Sequence, residues 1–144
     1  MGRTVSNCRT HNEPYSYFGV DLGKDRALVA TIYTIRNRNS TTHVMMNWSF
    51  EGSNDKNNWV ELDRRTHMTG RHEEDAMLEG EARKLRVKGV SSSWAIDTDI
   101  YREIGCEGFR YFRVLQTGKN SSGSDNLALS GFELYGTVTR GRWN

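Results

Sequence analysis

Proline is nearly missing from this chain: Pro14 is the only one in 144 residues. A Pro-rich linker or polyproline ligand is thereby excluded. Cysteine is scarce too. Cys8 and Cys106 are the two present, which permits at most one bridge and rules out a disulfide-stapled scaffold. Neither sits in a CxxC or a Cys/His cluster, so both read as free thiols, a pattern of reducing compartments; the alternative is one long-range disulfide in a secreted module. No apolar run reaches the ~18 residues of a membrane span, and the first ten residues carry no apolar stretch of a secretory leader. Charge of one sign is also lacking. Twenty Lys and Arg face eighteen Asp and Glu, a net charge of +2, too balanced to imply nucleic acid or a membrane surface as partner.

What the chain has is aromatic mass: four Trp, six Tyr and five Phe, enough large side chains to build one core despite a 35% hydrophobic share. These residues recur in short runs. Leu28 to Ile35 is β-branched and aromatic. Met46, Trp48 and Phe50 alternate with polar neighbours, the period of a half-buried strand. Tyr17 to Leu22, Trp59 to Leu62, Tyr111 to Leu115, Leu127 to Leu129 and Phe132 to Tyr135 add further strands, separated by Gly, Asn, Asp and Ser turns. Trp48, Trp59 and Phe112 fall at core spacing. Leu127 and Leu129 are out of phase with Phe132 and Leu134, so a β-bulge is expected at Ser130-Gly131. One short helix is expected over about 73–84, with Gly80 weakening it. The class is therefore all-β, a sandwich or barrel of about eight antiparallel strands.

Four segments resemble the discoidin domain, also called the coagulation factor C-type (F5/8 type C) or galactose-binding-like domain. They are Tyr17-Phe18-Gly19-Val20-Asp21-Leu22-Gly23, the hairpin from Asn47 through Gly52-Ser53-Asn54-Asp55 to Trp59-Val60-Glu61-Leu62, the strand Phe109 to Val114, and the closing Ser130-Gly131-Phe132-Glu133-Leu134-Tyr135-Gly136. They occur in family order. Gln116 to Gly123 leading into Leu127 is similar to the intracellular versions appended to HECT-type ubiquitin ligases and BTB-domain proteins. The resemblance implies a jelly-roll sandwich over residues 12–138, with 1–11 as a shortened N-terminal segment and 139–144 as a basic tail. The family's calcium loop and terminal Cys pair have no counterpart here, so no cofactor is implied.

In that family, ligands meet loops at one end of the sandwich. The resemblance implies a ligand-binding loop of Arg36, Asn37, Arg38, Asn39 and His43, with His11, Trp94, Lys119 and Asn120 as further contacts. Guanidinium forks, amides and imidazoles pair with peptide groups or sugar hydroxyls alike. Fucose-binding members use an upstream His with basic loop residues, a spacing His11, Arg36 and His43 approximate; Arg38 departs from that pattern where those lectins carry Asp, and His43 where they carry Arg or Lys. No nucleophile elbow, P-loop, GxGxxG or HExxH motif is present, and His67 with His72 lacks a third metal ligand. The expectation is a non-catalytic module that docks a protein partner inside a larger intracellular assembly. The alternative is a lectin-like module for galactose or fucose.

Overall fold

In the computed structural model, residues 2–3, 8–9, 14–36, 45–66, 91–120, 122–125 and 128–140 are described. The strands are β1 (Gly2–Arg3), β2 (Cys8–Arg9), β3 (Tyr17–Asp21), β4 (Arg26–Arg36), β5 (Asn47–Ser53), β6 (Val60–Thr66), β7 (Ser91–Ala95), β8 (Tyr111–Gln116), β9 (Ala128–Leu129) and β10 (Gly131–Arg140). One helix, α1 (Asp99–Glu103), lies between β7 and β8. The helix expected over 73–84, His67, His72 and the tail beyond Arg140 lie outside the described residues. Two antiparallel four-stranded sheets, ordered β1-β10-β4-β7 and β3-β8-β5-β6, form the layers, and β2 pairs with β9 beside them.

Period-two alternation decides which side chains meet between the layers. On β8, Phe112, Val114 and Gln116 point inward while Tyr111, Arg113 and Leu115 point outward. Trp48 and Phe50 enter from β5, Leu28, Ala30, Tyr33 and Ile35 from β4, Phe132 and Leu134 from β10, and Trp94 from β7. Tyr33 stacks on Phe50 at 4.3 Å between centroids, Phe50 on Phe112 at 5.7 Å, and Trp48 meets Trp94 edge-on at 5.0 Å. Burying one such ring is worth about 1.5–3 kcal/mol. The polar atoms around Tyr33 are paired, whereas among the described residues Trp94 Nε1 and Gln116 Oε1 are buried without a hydrogen-bond partner. Trp48 Nε1 donates to the Tyr33 hydroxyl at 2.9 Å, Tyr33 donates to Asp63, and Arg65 Nε donates to the same carboxylate at 3.0 Å. Burial, reinforced by Asp63, pushes the Tyr33 hydroxyl pKa upward.

The phase slip read from the sequence is real but differs in kind. At Ser130 the chain changes partners, leaving β2 at Leu129 and joining β4 at Gly131. Leu129 before the slip and Phe132 and Leu134 after it are all buried, because two separate strands flank it. The Ser130 N–H donates to the Arg36 carbonyl at 3.0 Å. The register shift within β10 sits instead between Tyr135 and Gly136. A Cβ on Gly136 would lie 2.0 Å from the Val29 carbonyl oxygen, so only glycine permits the approach. Beside this shift the Ala30 N–H turns to the Tyr101 hydroxyl of α1 at 2.9 Å.

Candidate functional site

The register places the rim that the sequence singled out. Arg36 ends β4, pairing with Gly131 and Ser91. The turn after Gln116 starts at the same end, where the Thr117 N–H donates to the Asn47 carbonyl at 3.1 Å, and it returns to β9 just ahead of Ser130. Arg36, Lys119 and Asn120 therefore share one end of the sandwich. Lys119 pairs with Asp125 at 2.6 Å. Asn120 is buried and spends its amide on its own loop: Oδ1 accepts the Ser122 and Ser124 N–H groups, and Nδ2 donates to the Ser124 hydroxyl. Trp94 does not reach this rim; it is 2% exposed in the core. Asn37, Arg38, Asn39, His43 and His11 lie outside the described residues.

A second site, which the sequence reading missed, opens on the outward face of the β3-β8-β5-β6 sheet. It is a cleft of about 290 Å³ between Tyr17 and Asp21 of β3, Tyr111 and Arg113 of β8, and Lys56 and Trp59 of the β5–β6 turn. Alternation puts Tyr17, Gly19 and Asp21 on this face, opposite Leu115, Arg113 and Tyr111. Gly19 leaves the floor open: a Cβ there would touch the Phe112 carbonyl oxygen at 3.3 Å and the Tyr17 ring at 3.7 Å. Trp59, read from spacing as core, is half-buried on the outer face instead. It immediately precedes β6, and its Nε1 donates to the Lys56 carbonyl at 3.0 Å.

The turn that carries Lys56 is built by Asp55. Its carboxylate accepts the Asn58 and Asn57 N–H groups at 2.7 and 2.8 Å and the Asn58 side-chain amide at 2.6 Å. These bonds hold the Asp55 pKa far below the usual carboxylate range. Lys56 then takes a left-handed backbone, φ 64°, with its N–H donating to the Ser53 hydroxyl at 3.0 Å. Asn54 ties the turn to the sheet, accepting the Arg110 N–H at 3.0 Å.

Charges in the cleft are largely matched. Arg110 forks onto Asp21 at 2.7 and 3.0 Å. The hydrogen bond from Arg110 lowers the Asp21 pKa. Arg113 donates to Glu51 at 2.7 Å, and its guanidinium lies 4.0 Å from the Trp59 ring and 5.2 Å from Tyr17. Lys56 Nζ and the Arg110 guanidinium lie 4.9 and 4.7 Å from the Tyr111 ring. The result is an open, aromatic-walled recess whose cations stack on rings. Its signal in sequence was the alternation itself, since Tyr17-x-Gly19-x-Asp21 and Tyr111-x-Arg113 each commit one face outward.

Chemistry elsewhere is sparse. Cys106 is a free thiol whose Sγ donates to the Gly108 carbonyl at 3.0 Å, and burial raises its pKa, which disfavours the reactive thiolate. Among the described residues, no three His, Cys, Asp or Glu side chains converge to hold a metal.

No family model matches the chain. Over 134 residues, 92% of the chain, it is 31% identical to the E3 ubiquitin-protein ligase hecd-1 of Caenorhabditis elegans and likewise to the E3 ubiquitin-protein ligase Ufd4 of Drosophila melanogaster. It spans 4% of the length of each. It is also 29% identical over 123 residues to a BTB/POZ domain-containing protein of Arabidopsis thaliana, covering 84% of the chain and 13% of that protein. Among solved structures it is similar to CBM62 from Clostridium thermocellum Xyl5A, with 20% identity, TM-score 0.56, and coverage of 88% of this chain and 71% of that one. A lectin domain of lectinolysin complexed with Lewis B antigen matches at 18% identity and TM-score 0.56, covering 90% of this chain and 70% of that one. At such identity these likenesses show the fold, the galactose-binding-like β-sandwich. They agree with the resemblance to discoidin-type domains read from the motifs.

Proposed function

We propose that this chain, a galactose-binding-like sandwich with sequence relatives inside ubiquitin ligases and a BTB protein, is a non-catalytic module that docks a protein segment within a larger intracellular protein or complex. The observation carrying this reading is the outer-face cleft, where the exposed Tyr17, the half-buried Trp59 and Tyr111, and the cations Lys56 and Arg113 stand side by side. Aromatics beside arginine and lysine are what protein-binding hot spots are made of. A sugar site of the usual kind is a polar recess with hydrogen-bonding groups free to meet hydroxyls. Here Asp21 and Glu51 are engaged by Arg110 and Arg113.

The sequence-read set of Arg36, Asn37, Arg38, Asn39 and His43, with His11, Lys119 and Asn120, supplies a second contact region in this proposal. It also carries the second reading, a lectin-like module, which is supported by structural neighbours that include a lectin domain complexed with Lewis B antigen. One experiment separates the two. The whole chain is presented in parallel to a glycan array and to a displayed peptide library. Peptide capture that falls about tenfold on Trp59→Ala, with the glycan array blank, is the expected result. Saccharide binding abolished by Arg36→Ala, with no peptide captured, would overturn the docking module in favour of the lectin.

A further inference from the structure

We propose that the outer-face cleft selects an acidic side chain on an extended partner segment, with Lys56 as its pairing cation. This rests on the reading that the cleft docks protein, and it names the partner's chemistry. The argument is one of charge accounting. Two cations, Lys56 and Arg113, line the recess, and a third, Arg110, stacks on its Tyr111 wall. Arg110 is consumed by a two-point bond to Asp21, and Arg113 by Glu51. Among the described residues Lys56 makes no ion pair of its own, though its charge is felt by Asp21, and its ammonium rests over the Tyr111 ring at 4.9 Å. Asp55, its neighbour in sequence, is turned away into hydrogen bonds with Asn57 and Asn58.

With Lys56, Arg110 and Arg113 set against Asp21 and Glu51, the cleft carries a surplus of positive charge beside aromatic walls, and Lys56 is where it is accessible. A carboxylate arriving there gains an ion pair with the exposed Lys56 ammonium, which contributes selectivity more than affinity. A basic residue would face Lys56 with Asp21 and Glu51 already bound. A recess of about 290 Å³ is at the small end of ligand pockets and suits one or two side chains. An apolar residue next to the acid would lie on Trp59 and Tyr17, over the floor that Gly19 leaves bare. Lys56 is exposed and its backbone geometry comes from the Asp55 turn, so its side chain can be exchanged without disturbing the core.

The test is a positional-scanning octapeptide array with Glu, Gln or Lys at the fixed position, probed with the whole chain and its variants, with the Trp59 indole N–H resonance followed by NMR. Glu-fixed peptides should bind about three- to fivefold more tightly than Gln-fixed ones, with Lys-fixed ones weakest. Lys56→Glu should reverse that order, Lys56→Arg should keep it, and raising salt from about 50 to 500 mM should weaken the Glu set. The Trp59 resonance should shift on binding. Equal binding of the three sets, or indifference to Lys56→Glu, would overturn the inference; if Trp59→Phe still weakened capture, docking at the cleft would stand. No peptide binding at all would sink both. Lys56-dependent binding of a sialylated or sulfated saccharide, with no peptide bound, would replace the acidic segment with an anionic glycan.

Discussion

Gly136 is where β10 and β4 approach more closely than any side chain allows. With the added Cβ 2.0 Å from the Val29 carbonyl oxygen, Gly136→Ala must push two central strands apart. The expected cost is about 1–3 kcal/mol or more, read as a lower urea midpoint. Asp21 gives a second residue-level prediction. Its carboxyl is held below its ordinary value chiefly by the Arg110 hydrogen bond. A depressed folded pKa stabilises the protein above the unfolded value and loses that contribution as pH falls through the folded one. Between about pH 4 and pH 2, wild type should therefore lose stability more steeply than Asp21→Asn in acid denaturation followed by circular dichroism. Gly136 stood in plain view in the sequence, within the closing motif, yet its reason did not. A clash with a carbonyl more than a hundred positions away exists only once β10 lies on β4.

At the scale of the element, α1 is only five residues long, too short to hold itself together, and it is anchored chiefly by Tyr101, with Ile100 packed beside the core. Tyr101 packs on Phe109 at 5.6 Å between centroids and accepts the buried Ala30 N–H beside the ladder's register shift. Tyr101→Phe keeps the ring and removes the acceptor. It should cost about 1–3 kcal/mol and speed hydrogen exchange at the Ala30 amide, while the aromatic contact to Phe109 persists. The strands were legible because alternation writes burial directly into sequence, as in Trp48-x-Phe50 and Phe112-x-Val114. The helix was not: Asp99 to Glu103 has no period long enough to register, and its cause is a hydrogen bond to a distant strand. The slip at Ser130 was seen but misread as a bulge. A phase change shows that a strand is interrupted, not which partners it leaves and joins.

For the molecule as a whole, the two sheets share one aromatic stack, so they should unfold together. Phe50 touches Tyr33 from the facing sheet and Phe112 from its own. Phe50→Ala should cost about 3–5 kcal/mol, a large part of the ~5–15 kcal/mol that holds such a domain. Far-ultraviolet and near-ultraviolet signals should fall together at a lower urea concentration; separate transitions would show that the layers are independent. The same two-layer arrangement explains where binding can occur, because the inner faces are taken by the core and only the rim and outer faces meet another molecule.

The sequence by itself determined the layered β architecture, the strand positions and most of the core, since period-two patterning and aromatic clustering are local properties. It also carried the likeness to discoidin-type domains. Only the tertiary structure decided that Trp59 faces outward beside Arg113, that Trp94 lies inside, and that Lys56, Tyr17 and Tyr111 border one recess. Those facts depend on which strand lies beside which, and that is settled by long-range pairing: β3 against β8, β8 against β5, and β5 against β6.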